Sequence, residues 1–351
     1  MLGTALSPVV FGKENQISIY KGSPAEIGNA HGQGFKTDIK HSLDVLLRKI
    51  KTAGYSDQQI NEVLSARKVS LKEHAPHILE EYQAIASTTG VSLQDILALN
   101  TFIGFGTLGE KEGNDECTSW LAVGTATMDG RSYLHKNRDF YPNPQAVFKV
   151  SGKGKNSFLA ISDKSWLVVT SGMNDKGLAI SNNVVGFNNL NLFGLDAFTI
   201  HRRVLEEAET VEEAYELIKN FPRINANIFF IVDREKGAII EADSKEISSF
   251  EDSIVVNGFG ARANMFEILS GSTNWDSIRR SGAAKAFLQQ RLGSISILDM
   301  NNLSRHIFVY NDGIASDNDS SDGLCVNKRL SPHRKKYLLT KPVLHQNNIF
   351  L

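Results

Sequence analysis

Of the two cysteines in the chain, Cys117 and Cys325, only the first stands where a nucleophile is useful. It closes a polar stretch, Thr107 to Asp115, whose Gly109, Gly113 and four charges give it the composition of an exposed loop. It also opens a run with strand signals, Trp120 to Thr127. A thiol at such a junction is reachable from one side and fixed from the other, although a small buried hydrophobe fits the same position. Eighteen residues on comes His135-Lys136-Asn137-Arg138-Asp139-Phe140. If this segment is a strand, Asn137 and Asp139 share one face while Lys136 and Arg138 take the other. The nine histidines show no metal spacing. His74 and His77, three apart on a polar helix, lack a third ligand, so they read as solvated surface. Gly28, Gly32 and Gly34 follow no strand and make no nucleotide loop. The residues call for no metal and no cofactor.

The elements that must position these groups change character along the chain. From about Ser23 to Asn100 the apolar residues recur at helical spacing, as in Leu43, Leu46, Ile50 and Ile78, Tyr82, Ile85. Strand signals follow at Trp120–Thr127, Ser132–Lys136, Ala146–Val150, Ser157–Ile161, Trp166–Ser171 and Leu178–Asn182. Turns such as Asp129-Gly130 and Asn174-Asp175-Lys176-Gly177 separate them, as in an antiparallel sheet. Two helices are expected at Leu195–Ala208 and Val211–Asn220, the second opened by a Thr210/Glu213 capping box. Strands at Ile228–Asp233, Ala238–Asp243 and Ser253–Asn257 precede a helix at about Asp276–Arg291. This order predicts an α+β protein of packed sheets covered by helices. It divides into a helical segment, 1–116, and a catalytic domain, 117–351.

A chain of 351 residues that is 41% hydrophobic can bury a sizeable core. Its 38 basic and 39 acidic residues nearly cancel, which gives no electrostatic grip on nucleic acid or an anionic membrane. Two distant cysteines make a poor disulfide framework and suit a reducing compartment. The apolar patch from Leu6 to Phe11 lacks the charged leader and length of a signal peptide, and no stretch reaches the roughly 20 apolar residues of a membrane span. The expectation is a soluble, cytoplasmic protein.

Several of these features, in order, resemble the acyl-coenzyme A:6-aminopenicillanic acid acyltransferase family, related to bile-salt hydrolases and penicillin V acylase. They are Cys117-Thr118 at a strand start, Asp129-Gly130 at the turn and Asn137-Arg138-Asp139-Phe140 on the return. The likeness continues in Gly22-Ser23-Pro24-Ala25-Glu26-Ile27-Gly28, His31-Gly32, Gly172 to Leu178, Arg203 to Ala208, and Val232-Asp233 to Glu241. It implies a four-layer αββα N-terminal-nucleophile hydrolase fold with residues 1–116 as propeptide or small subunit. It also implies self-cleavage between Glu116 and Cys117, with an acyl-thioester on Cys117 during turnover. The freed α-amine, a group that ordinarily titrates at about 7.7 to 8.0, then accepts the thiol proton.

By the same resemblance Asp139 stands beside the cysteine, with Asn137 and Thr118 in support. Asn264 is the oxyanion donor, although the histidine often found after it is missing. Asn257 competes with Asn264, and Asn183 is a second donor with Asn182 as competitor. Arg279 is the arginine near the nucleophile, Arg138 is structural, and Lys136 stands near an arginine of the bile-salt hydrolases. Cys325 reads as core. The implied partners are a small amide or acyl-donor substrate and the two cleavage fragments for one another, with homo-oligomerisation open. Whether water or an amine takes the acyl group is also open. Glu116 departs from the glycine of the penicillin enzyme, and the alternative is an uncleaved, non-catalytic binding protein on the same fold.

Overall fold

The computed structural model describes residues 17–101, 117–138, 144–185, 190–271, 274–306 and 348–350. A first strand, β1 (Ser18–Gly22), leads into five helices, α1 (Pro24–Gly34), α2 (Lys36–Ala53), α3 (Asp57–His74), α4 (Pro76–Thr89) and α5 (Leu93–Asn100). Serine caps with an acidic or amide residue three positions later start α1, α3 and α5, each closing a full capping box. Then come β2 (Thr118–Ala122), β3 (Tyr133–Asn137), β4 (Gln145–Gly152), β5 (Phe158–Asp163), β6 (Ser171–Asn174) and β7 (Ala179–Val184). Helices α6 (Ala197–Glu207) and α7 (Val211–Asn220) are followed by β8 (Asn227–Val232), β9 (Gly237–Ala242), the short α8 (Phe250–Ser253), β10 (Ile254–Val255) and β11 (Phe259–Arg262). The described chain ends with α9 (Trp275–Gln289), α10 (Ile297–His306) and β12 (Asn348–Phe350).

The strands form two sheets. One has eight strands in the order β1-β4-β5-β6-β7-β8-β9-β10, antiparallel except where β1 lies parallel to β4. The other has four, β11-β2-β3-β12, all antiparallel. Leu121, Val123 and Leu134 of the small sheet meet Ala179, Ile228, Phe230, Val232 and Ile239 of the large one in a shared apolar seam. Helices cover both outer faces: α6 and α7 lie on the large sheet, α9 and α10 on the small one. The expected αββα layering is therefore present, because each sheet buries one face against the other and the second under helices.

The N-terminal helices do not form a separate body. They share one apolar cluster with the outer face of the large sheet, and two buried ion pairs, Arg67–Asp196 and Arg202–Glu81, tie α3 and α4 to α6. Burial opposes the charge on Glu206, but Arg202, His77 and Lys155 together hold its carboxyl below the ordinary carboxylate range.

Several expectations need correcting. The apolar run Trp166–Ser171 is not a strand: residues 166–169 are buried in an irregular crossing, and β6 begins only at Ser171. A run buried on all sides has no periodicity to tell a strand from a packed loop. Residues 253–257 divide between the end of α8, the two-residue β10 and a turn. His74 ends α3 and His77 lies in α4, so the two do not share a helix face, and His77 sits 2.8 Å from Glu206. Thr210 does accept the Glu213 amide, but the Glu213 carboxylate takes the amide of Glu209 instead of closing the box. Strands β1, β11 and β12 and helix α10 went unanticipated.

Candidate active site

Strand β2 places its side chains on alternate sides. Leu121 faces the apolar seam and Ser119 donates across it to Asn183 Oδ1 at 2.7 Å, whereas Trp120 and Ala122 pack under the helices. Cys117, two residues before Ser119, has the parity of the seam side. It is buried, and its carbonyl oxygen is held by Arg280 Nη1 at 2.6 Å. The same Nη1 donates to Thr118 Oγ1 at 2.7 Å, and Nη2 to Asn264 Oδ1 at 3.2 Å. Arg280 Nε pairs with Asp276 at 2.6 Å, which fixes the plane of the guanidinium. One planar cation thus joins the backbone at the thiol to the asparagine expected to serve the oxyanion.

The residue making these contacts is the neighbour of the expected Arg279. Arg279 is half-buried on α9, and the contacts to Cys117, Thr118 and Asn264 come from Arg280. The helix carried the signal: Ala284 and Leu288 mark its buried stripe, and stepping back four residues from Ala284 reaches 280.

Asn264 is buried, with one Nδ2 hydrogen on Val184 O at 2.7 Å and its amide N–H on Ser277 Oγ at 3.2 Å. The other Nδ2 hydrogen has no partner among the described residues. Asn183 differs, because its Nδ2 donates to two carbonyls, Arg262 O at 2.9 Å and Ala263 O at 3.1 Å. Its Oδ1 holds Ser119, so Asn183 braces β11 against β2 across the seam. Asn182 lies in a separate chain: Lys136 Nζ donates to its O and Oδ1, and its Nδ2 to Asn227 Oδ1 at 2.7 Å. Asn257 adopts φ 50°, and its Oδ1 accepts Thr125 N at 3.1 Å beside the left-handed Gly124, which is the work of a turn.

On β3, Asn137 lies opposite Thr118 and faces the helices: Ser304 Oγ of α10 donates to its Oδ1 at 2.9 Å, and His135 Nε2 lies 3.0 Å from the same oxygen. Asn137 Nδ2 is buried with no hydrogen-bond partner among the described residues. His135 stacks on Trp120 with ring centroids 4.2 Å apart, and burial pushes its pKa down to about 4, so the ring is neutral near pH 7. Arg138 forms a two-pronged buried pair with Asp163, at 2.6 and 3.2 Å. Asp139, Glu116 and Cys325 lie outside the described residues. Among the described residues no group of three or more His, Cys, Asp or Glu side chains is set to hold a metal ion, and no helix is long and apolar enough to cross a membrane.

Residues 125–326 match the family model described as acyl-coenzyme A:6-aminopenicillanic acid acyl-transferase. The chain belongs to this family. Among curated relatives, the acyl-coenzyme A:6-aminopenicillanic-acid-acyltransferase 40 kDa form of Emericella nidulans is 26% identical over 216 residues, covering 60% of this chain. The matched part spans only 58% of that relative's length. Among solved structures, a Caenorhabditis elegans N-acylethanolamine-hydrolyzing acid amidase ortholog aligns with a TM-score of 0.42 at 14% identity, covering 53% of this chain and 85% of its own. A conjugated bile acid hydrolase from Clostridium perfringens gives 0.40 at 14% identity, covering 57% and 82%. Penicillin V acylase from Agrobacterium tumefaciens gives 0.38 at 17%, covering 57% and 75%. The family model covers residues downstream of the thiol, which supply most strands of the large sheet and two of the small one.

Proposed function

We propose that this family member is a self-processing cysteine N-terminal-nucleophile enzyme that cleaves or exchanges the acyl group of a small amide. The observation that carries this reading is the Arg280 fork, which links the Cys117 carbonyl, Thr118 and Asn264 in one buried arrangement. In maturation the Cys117 sulfur bonds to the carbonyl carbon of Glu116. The C–N bond between the two residues breaks, and the thiol proton passes to the departing nitrogen. Water then hydrolyses the thioester and leaves a free α-amine on Cys117.

In turnover that amine takes the thiol proton as sulfur attacks the substrate carbonyl. The developing oxyanion meets the uncommitted Nδ2 hydrogen of Asn264, an interaction of about 3 kcal/mol in well-studied enzymes. Collapse expels the amine of the substrate with the proton, leaving an acyl-thioester that water or an acceptor amine resolves. Asp139 is the carboxylate proposed to hold the α-ammonium, and Arg280 takes the part that the resemblance gives to Arg279. Asn183 sets the end of β11, and Asn137 and Thr118 support the strand ends around the thiol. The cleaved halves stay together, as their shared core and buried ion pairs favour.

Intact mass spectrometry tests the reading. Wild-type protein is expected as two fragments, one ending at Glu116 and one beginning at Cys117, and the second should gain an acyl mass during incubation with acyl amides. Cys117→Ala should remain one chain and take up no acyl group. A Cys117→Ala protein that still splits, or an intact wild type that turns over amides at full rate, rejects the mechanism; an intact and inert wild type favours the binding-protein alternative.

A further inference from the structure

The strand Gly237–Ala242 is buried throughout, yet it carries a carboxylate, Glu241, with no exposed surface. Removing a carboxylate from water costs several kcal/mol unless a full set of donors replaces the water. The set here is complete and comes from one segment. Glu241 Oε1 accepts Arg262 Nε at 3.2 Å and the Glu267 amide at 2.8 Å. Oε2 accepts the amides of Ile268 at 2.7 Å and Leu269 at 2.9 Å. These four donors bracket Asn264, which lies between Arg262 and Glu267 in a stretch without regular secondary structure.

That stretch is pinned on its opposite side by α9, where Ser281 Oγ accepts the Ala263 amide at 2.9 Å and Ser277 Oγ accepts the Asn264 amide. A segment with no ladder or helix of its own is normally mobile, and a misplacement of about 1 Å is enough to weaken a catalytic hydrogen bond severely. Helix α9 fixes the backbone at residues 263 and 264, and Glu241 fixes it on both flanks.

We infer that Glu241 is a positioning residue: its buried carboxylate holds the 262–269 segment so that Asn264 Nδ2 points at the oxyanion. The inference rests on the proposed role of Asn264. Among the described residues Glu241 makes no hydrogen bond to Cys117, so its effect on the reaction travels through Asn264.

The test is a double-mutant cycle with p-nitrophenyl hexanoate as acylating probe, measured on wild type, Glu241→Gln, Asn264→Ala and the double variant, with thermal melts of each. Glu241→Gln is expected to slow acylation of Cys117 by about 10- to 100-fold while the half-saturating concentration shifts by less than about threefold. In the Asn264→Ala background the same change should alter the rate by less than about twofold, because the group it positions is gone. Glu241→Asp, which keeps the charge, should recover part of the loss.

Additive losses in the cycle, an effect confined to half-saturation, or an unaltered rate in Glu241→Gln would overturn the inference. So would failure of both Glu241 variants to fold, since that marks a folding residue alone. If Asn264→Ala acylates like wild type, the oxyanion reading itself has failed; if Asn264→Ala is slow and Glu241→Gln is normal, only the positioning role has.

Discussion

The space between the two sheets has one character at one end and the opposite at the other. Around Leu121, Val123, Leu134, Phe230, Val232 and Ile239 it is filled with aliphatic and aromatic side chains. A few residues along the same strands it holds Cys117, Ser119, Lys136, Asn183 and the edge of the Asn264 segment, all buried. The apolar end gains free energy from every methylene it removes from water. The polar end must recover its desolvation cost bond by bond, which explains the density of hydrogen bonds from Ser119, Asn183 and Lys136. Stability is concentrated at the first end, and groups able to do chemistry are held in fixed directions at the second.

Three perturbations probe that contrast. Phe230→Ala removes a fully buried ring from the apolar end and is expected to cost about 3–5 kcal/mol in urea unfolding, with the acylation rate per folded molecule little changed. A comparable fall in that rate would mean that the two ends are not separable.

Acid comes next. Burial holds His135 neutral to about pH 4 and His31 and His201 to about pH 3, whereas in the unfolded chain each titrates near 6.5. The unfolded state therefore binds more protons as pH falls, so the stability these residues contribute is present above about 6.5 and is lost progressively toward 4 and 3. Melting temperatures at pH 8, 6 and 4.5 should decline in that order below 6.5; a level profile would mean these rings charge readily in the folded protein.

The smallest effect belongs to Asn257→Ala, which loses the bond to Thr125 and puts alanine at φ 50°. About 1–2 kcal/mol of stability should go, with no change in acylation, in contrast to Asn264→Ala. An acylation defect as large as that of Asn264→Ala would restore Asn257 as a donor.

Much of the layered architecture was legible in the sequence because its signals are local. Continuous β-branched and aromatic runs flanking a turn marked both arms of the Asn227–Ala242 hairpin, and the cap at Thr210 marked the start of α7. Trp166–Ser171 was misread because its burial comes from several neighbours at once, and Phe259–Arg262 was missed because four residues with one aromatic give no period to count. Arg280 was not singled out beside Arg279, since the stripe of α9 that includes Ala284 and Leu288 is recognised as buried only once the sheet beneath it is known.

Residue order alone is enough to say that a thiol stands at the head of a strand and that strands and helices follow in an order suited to an α+β protein of packed sheets covered by helices. The packed molecule was needed to tell that Asn183 spends its Nδ2 on two carbonyls while Asn264 Nδ2 donates to one, that Arg280 reaches the Cys117 carbonyl, and that a carboxylate on β9 anchors the segment carrying Asn264. The difference is one of range. Propensity, capping and alternation act over a few residues, whereas Arg280 and Cys117 are partners 163 positions apart that meet only when two sheets and a helix have packed.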